Sequence, residues 1–207
     1  ATTEDIDPVR YLTNRSTGKM GYAIAEQAIL KGATVVLISG KTNLKPPRGL
    51  SKFIEVRSAE EMYQEVKREF FDTDILIKAA AVADFTPKVV AKNKIKKQDE
   101  NLVIDLKRTK DIAFEMGQLK KSNQVMVGFA AETESVLEHA VQKLKKKNLD
   151  FIVSNDLTKS GAGFGTDTNI VNFLLPDGEI EKYDLMKKKE VADRILEKAH
   201  TILKNRK

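Results

Sequence analysis

The stretch that most constrains this chain is residues 6–40, IDPVRYLTNRSTGKMGYAIAEQAILKGATVVLISG, where an irregular loop bearing Pro and Gly passes into an amphipathic helix and then an apolar strand. Ile24, Ala25, Ala28 and Ile29 recur at the three- and four-residue spacing of one helix face, and Gly32 is placed to end the helix. Thr34-Val35-Val36-Leu37-Ile38 then reads as a buried parallel strand, because strands covered on both faces carry continuous apolar runs. Loop, helix and strand in this order make half of a mononucleotide-binding α/β unit. Ser16, Thr17, Gly18, Lys19 and Gly21 lie at the helix start. The first N–H groups of a helix have no internal partner and carry roughly half a positive charge, so phosphate or a developing carboxylate charge suits that loop. It is not a P-loop, since the Gly required five residues before Gly18 is replaced by Thr13.

Strands and helices keep alternating downstream. Residues 52–56 alternate as a short strand after the turn-rich Lys45-Pro46-Pro47-Arg48-Gly49. Ser58 and Glu61 form a capping box ahead of a helix whose Met62, Val66 and Phe70 share a face. Residues 74–81 make a strand running into a loop of small residues. Residues 85–109 are polar and Lys-rich, with Leu102, Ile104 and Leu106 on one face of an expected strand, and read as a flap or arm. A helix is expected over 111–119, a strand over 124–129, a helix over 133–147 with Val136, Ala140, Val141 and Leu144 inward, and a strand over 151–153. A Gly-rich loop at 161–169 precedes a hairpin, 170–175 and 180–183, turned at Pro176-Asp177-Gly178. A last helix spans about 188–203. The pattern predicts an α/β, Rossmann-like three-layer fold with a mostly parallel sheet, plus the flap or arm and the β-hairpin, as a single domain over 1–207. Loops that follow parallel strands meet at one sheet edge, so 79–84, 129–133 and 155–156 are expected to converge with the loop at 10–21 as a ligand crevice.

At 207 residues and 41% hydrophobic content, the chain can bury one sizeable core. No run approaches the ~20 apolar residues of a membrane span and no signal peptide opens the chain, so a soluble, cytoplasmic protein with no membrane partner is expected. The absence of Cys removes thiol nucleophiles and thiolate metal sites. His139 and His200 sit in charged helical segments without a second ligand nearby. A net charge of +6 favours an anionic partner. The Lys clusters at 94–97 and 143–147 have no interleaved aromatics for stacking bases, so small polyanions are favoured over nucleic acid, with a solvated surface as the plain alternative.

Six ordered blocks carry a family resemblance: IDPVRYLTNRSTGKMG (6–21), AAAVADFTPK (79–88), KIKK (94–97), VGFAAET (127–133), KKKNLDFIVSND (145–156) and GAGFGTDTN (161–169). Together they resemble phosphopantothenoylcysteine synthetase of the bacterial CTP-dependent type, usually the C-terminal half of a bifunctional coenzyme A biosynthesis protein whose upstream half is a flavin-dependent decarboxylase. The resemblance implies a ligase that joins 4′-phosphopantothenate to cysteine through an acyl-cytidylate, with CTP as co-substrate and Mg²⁺, working as a homodimer. It places Asn14 at the acyl intermediate, Arg10 beside it, and Lys94 on the flap. It assigns CTP to Lys78, Ala79, Ala80, Asp84, Lys94, Lys110, Asp111, Ile112, Ala113, Phe129, Lys143 and Lys147. Lys143 and Lys147, four apart, share a helix face. The family often has Pro where this chain has Lys110, and it has a strand and paired glycines before the Thr-x-Glu segment that are not in this sequence. The arm at 85–109 and the hairpin at 170–183 are the candidates for a dimer contact.

Two other readings stay open. Tyr63-x-x-x-Lys67 and Tyr183-x-x-x-Lys187 have the Tyr/Lys spacing of short-chain nicotinamide-dependent reductases, although neither is well placed for it. A non-catalytic nucleotide-binding or regulatory module is the other.

Overall fold

The computed structural model describes residues 1–97, 101–132, 136–156 and 165–206, with the side chains of 131–132, 136–140 and 156 left aside. The elements are β1 (Thr3–Asp5), β2 (Tyr11–Thr13), α1 (Lys19–Leu30), β3 (Val36–Gly40), β4 (Lys52–Val56), α2 (Ala59–Phe70), β5 (Ile75–Lys78), β6 (Phe85–Pro87), β7 (Leu106–Arg108), α3 (Ile112–Leu119), β8 (Val125–Glu132), α4 (Val136–Lys146), β9 (Phe151–Asp156), β10 (Thr168–Leu174), β11 (Ile180–Lys187) and α5 (Lys188–Lys204).

The central sheet has the order β11-β10-β9-β8-β5. β5, β8 and β9 are parallel, while β10 and β11 close the far side as an antiparallel hairpin. Side chains alternate across this sheet, and the two periodic faces bury against different helices. Val125, Val127, Phe151, Val153, Val171 and Phe173 point to one side, where α1 contributes Ile24 and α5 contributes Val191, Ile195, Ala199 and Leu203. Met126, Ile152 and Leu174 point to the other, against Met62, Val66 and Phe70 of α2, Ile112 and Met116 of α3, and Leu144 of α4. This is the three-layer α/β arrangement expected from the alternating sequence.

Three expectations change. The buried strand at 34–38 is β3, shifted to Val36–Gly40 and only half covered: it pairs in parallel with β4 alone, and Val36 is exposed. Residues of β3 and of β5 line one cavity of about 150 Å³, and the two strands belong to separate sheets. The strand expected through Leu102, Ile104 and Leu106 is reduced to β7, Leu106–Arg108, which pairs with β6; Leu102 and Leu106 are exposed, so no core drives a longer strand there. The hairpin's second strand, expected over 180–183, runs on to Lys187, and β10 hydrogen-bonds to β9 while α5 packs on both hairpin strands.

Local chemistry accounts for the helix ends near the crevice. Gly18, with φ of 83°, is the N-cap of α1, a left-handed conformation that favours glycine. Ser58 caps α2 by accepting the Glu61 N–H, while the Glu61 carboxylate accepts the Arg57 N–H, one residue before the partner that a capping box would use. Asp111 caps α3 by accepting the Phe114 N–H at 3.2 Å.

Candidate active site

The cavity at the carboxyl ends of β3 and β5 draws together residues far apart in sequence. Ser16, Gly18 and Gly21 of the α1 start, Lys78 at the end of β5 with Ala79 and Ala80 after it, and Ile112 and Ala113 at the α3 start all line it. Two helix N-termini therefore open on one space, each offering N–H groups to an anion. Thr17 lies beside it, its carbonyl accepting the Thr42 hydroxyl at 3.0 Å. Tyr22 and Ser39 also line the cavity and share a hydrogen bond at 3.2 Å.

Charge gathers at Lys78. Burial pushes its ammonium below the ordinary lysine range and the charge of Lys147 adds to this, while Asp111 and Asp84 oppose it. Lys147 Nζ pairs with Asp111 Oδ2 at 2.9 Å. Burial pushes the Asp111 carboxyl upward, but the Lys147 hydrogen bond, the Phe114 N–H and the charges of Lys147 and Lys78 outweigh it and leave the carboxyl below its ordinary value. Two cations and two carboxylates thus lie within electrostatic reach of one another at the sheet edge, with Lys147 and Asp111 in direct contact. Lys143 is exposed one turn before Lys147, whose N–H donates to the Lys143 carbonyl at 3.0 Å.

Other sequence candidates are held differently. Lys110 bonds to Glu60 at 2.9 Å and lies 4.3 Å over the Tyr63 ring, so its side chain is engaged with α2. Lys19 leaves the anion loop and grips the 165–167 segment, donating to the Gly165 carbonyl and to Asp167 Oδ1, both at 2.7 Å. Phe129 packs with the core face under α1 and α5 rather than lining the cavity. Asn14 is exposed after β2. Arg10 is fixed by Asp7, and its guanidinium also reaches the carbonyl of Ile95, next to the exposed Lys94. Part of the Gly-rich loop, residues 161–164, lies outside the described residues, as does Thr133 at the end of the VGFAAET block.

Sequence reasoning missed Asp7, Tyr22 and Asp167. The D-P-V-R spelling is a turn signal in which an Asp accepts backbone N–H groups two and three residues on, which was available for Asp7. Nothing local marks the long-range partners. The Tyr/Lys pairs make poor proton donors here: Tyr63 is core, and burial with Glu181 pushes the Tyr183 hydroxyl up to about 12, opposite to what proton transfer by a reductase needs. No group of three metal-ligating side chains occurs among the described residues.

Comparison with known proteins fits this geometry. Residues 1–203 match the family described as DNA/pantothenate metabolism flavoprotein C-terminal domain. The chain is 51% identical over 203 residues to the coenzyme A biosynthesis bifunctional protein CoaBC of Bacillus subtilis (strain 168), covering 98% of this chain and 50% of that protein. It is 46% identical over 202 residues to a cysteine/cysteine sulfinic acid decarboxylase of an unknown prokaryotic organism, covering 98% and 56%. The chain spans about half the length of the curated relatives it matches. The crystal structure of the C-terminal domain of a CoaBC protein superposes with a TM-score of 0.83 at 45% identity, covering 99% of this chain and 93% of that one.

Proposed function

This chain belongs to the DNA/pantothenate metabolism flavoprotein C-terminal domain family, and we propose that it is a carboxylate–amine ligase of coenzyme A biosynthesis, joining 4′-phosphopantothenate to cysteine at the expense of CTP. The observation that carries the reading is the convergence of Lys78, Lys147, Asp84 and Asp111 beside the α1 and α3 N-termini, at the carboxyl edge of the parallel strands. That is where an α/β sheet binds nucleotides. The two relatives carry different activities in their names, each for a protein about twice this length. A cation-rich edge with two helix starts suits phosphate chemistry and therefore the coenzyme A biosynthetic name.

A carboxylate is anionic and has no good leaving group, so amide formation requires activation. In the proposed first step an oxygen of the phosphopantothenate carboxylate bonds to the α-phosphorus of CTP, and the bond to pyrophosphate breaks. In the second, the neutral cysteine amine bonds to the acyl carbon, CMP leaves with the bonding pair, and the amine proton goes to solvent or to a phosphate oxygen. Lys78, Lys143 and Lys147 hold phosphate oxygens in this reading, and Ala79, Ala80, Ile112 and Ala113 bring backbone close to the nucleotide. The exposed Asn14 amide donates to the acyl oxygen as it gains charge, and Arg10 and Lys94 neutralise the same intermediate from the facing segment. Ser16, Thr17 and Gly18 offer the α1 start to an anionic group of the substrate. Mg²⁺ would neutralise triphosphate charge when bound with CTP.

The test is pyrophosphate release from CTP with 4′-phosphopantothenate, with and without cysteine, and with ATP as a control. Release that needs phosphopantothenate, followed by CMP release that needs cysteine, is the expected result. CTP binding without either release would instead favour a binding module.

A further inference from the structure

We propose that Asp7 is a positioning residue that holds the Arg10 guanidinium and the Lys94-bearing segment in fixed relation to each other; its kinetic consequence rests on the ligase reading above. Asp7 is 1% exposed, although it precedes an exposed turn. Its Oδ1 accepts the N–H groups of Val9 at 2.8 Å and Arg10 at 2.9 Å. Its Oδ2 accepts Arg10 Nε at 3.0 Å, Arg10 Nη2 at 2.6 Å and, from 88 residues away, the Ile95 N–H at 3.1 Å. Arg10 Nη2 also donates to the Ile95 carbonyl at 3.0 Å. Both backbone polar groups of Ile95 are thereby gripped by one ion pair, and the Ala91 N–H donates to the Ile6 carbonyl at 3.0 Å as a second fastening.

The chemistry requires a carboxylate. Five donors converge on the Asp7 side chain, and an ionised carboxylate is acceptor-only, with about four lone-pair directions on two oxygens. The amide of an Asn would turn its own N–H groups toward a guanidinium or a peptide N–H, leaving buried donors unpaired. Because Lys94 is bonded directly to Ile95, the peptide that Asp7 holds is the anchor of the exposed Lys94 side chain. A reacting group displaced by about 1 Å loses on the order of 10²-fold in rate, so a carboxylate that touches no substrate can still govern turnover.

The test combines amide exchange with a double-variant cycle on the full chain. In Asp7→Asn, exchange of the Ile95 and Ala91 amides is expected to quicken by at least about 10-fold, while amides in α5 are unchanged, because local opening is independent of the distant core. In pyrophosphate release, kcat is expected to fall on the order of 10-fold or more with the KM for CTP within about threefold, the mark of a lost transition-state contact. Combining Asp7→Asn with Lys94→Ala should cost clearly less than the sum of the two single losses, the remainder being the loss of Arg10 positioning. Additive losses, or unchanged Ile95 protection, would overturn the proposal. Asp7→Glu keeps the charge but moves it by one methylene; it should fold and still turn over slowly, and full turnover would also count against positioning. If the wild-type protein releases no pyrophosphate, the ligase reading fails, and the exchange data alone decide whether Asp7 holds the segment.

Discussion

Lys78 sits where β5 ends, at the meeting point of burial, a second cation and two carboxylates. Its lowered value in the fold, against 10.5 for the free side chain, has two opposite consequences. Between the folded value and 10.5 the unfolded chain holds a proton that the folded chain has released, so this residue's contribution to stability rises with pH across that window. Nucleotide binding runs the other way, because phosphate favours the protonated ammonium. CTP affinity measured by calorimetry is therefore expected to weaken as pH rises through the lowered value, before ordinary lysines titrate. In Lys78→Arg, whose guanidinium stays charged, that weakening should vanish; an alkaline decline that persists in this variant would move the titration to another group. Asn14 tests a different contact. Asn14→Ala should lower the rate of the acyl-transfer chemistry about 10²-fold, the usual cost of one donor to a developing oxyanion, with thermal unfolding unchanged because the side chain is exposed. Wild-type turnover in this variant would remove Asn14 from the mechanism.

Elements, rather than side chains, decide whether Lys147 reaches Asp111. Helix α4 ends just before it, and Asn148, with φ of 49°, turns the chain back while its side-chain amide donates to the Gly117 carbonyl at 3.0 Å. Helix α3 accepts this approach because it carries a glycine there: a Cβ on Gly117 would stand 2.1 Å from the Lys147 carbonyl oxygen. Gly117→Ala should destabilise the fold by roughly 1–3 kcal/mol, as overpacking does, and both it and Lys147→Gln should raise the KM for CTP. Melting and steady-state kinetics would read the two effects, and an unchanged CTP dependence in both variants would return that helix end to plain surface. Helices α1, α2, α3 and α5 were readable because their apolar residues repeat at three and four and their ends carry Gly18, Ser58 and Asp111. The parallel strands were readable as apolar runs, and the hairpin from its Asp-Gly turn. What escaped depends on partners distant in sequence: that β3 would pair on one side only, that Leu102 and Ile104 would find no sheet, and that Lys19 would turn to Asp167. Within the site, Lys78 to Ala80 and Ile112 to Ala113 were recognisable by resemblance and do line one cavity, whereas Phe129 points into the core and Lys110 to α2. Local spelling carries no information about which of several loop cations a fold will pair.

At the scale of the whole molecule, apolar surface is unevenly placed. The helix-covered sheet buries Val125, Val127, Phe151, Val153, Val171 and Phe173 almost completely, but the small ribbons outside it leave large apolar side chains exposed. Tyr11 of β2, Phe85 of β6 and Leu106 of β7 are exposed, Val89 is 82% exposed and Val103 is 85% exposed. β1 packs against β6, so the β1–β2 and β6–β7 ribbons are neighbours and their apolar side chains belong to one region of the molecule. A concentration of large exposed hydrophobics in one region marks an interaction surface more often than scattered single residues do. We propose a second copy of the chain as the occupant of this region, as the homodimer expected from the resemblance would require. A stable dimer needs about 1,200–2,000 Å² of total buried surface. The arm also carries Lys94, so dimerisation through it would link assembly to the chemistry proposed for the crevice. Val89→Lys combined with Val103→Lys is then expected to convert a dimer to a monomer in sedimentation velocity, with the melting temperature of the core little changed. Turnover should fall with the dimer and recover in part at high protein concentration. A double variant that sediments as wild type would assign these side chains to solvent and leave the dimer contact to another face.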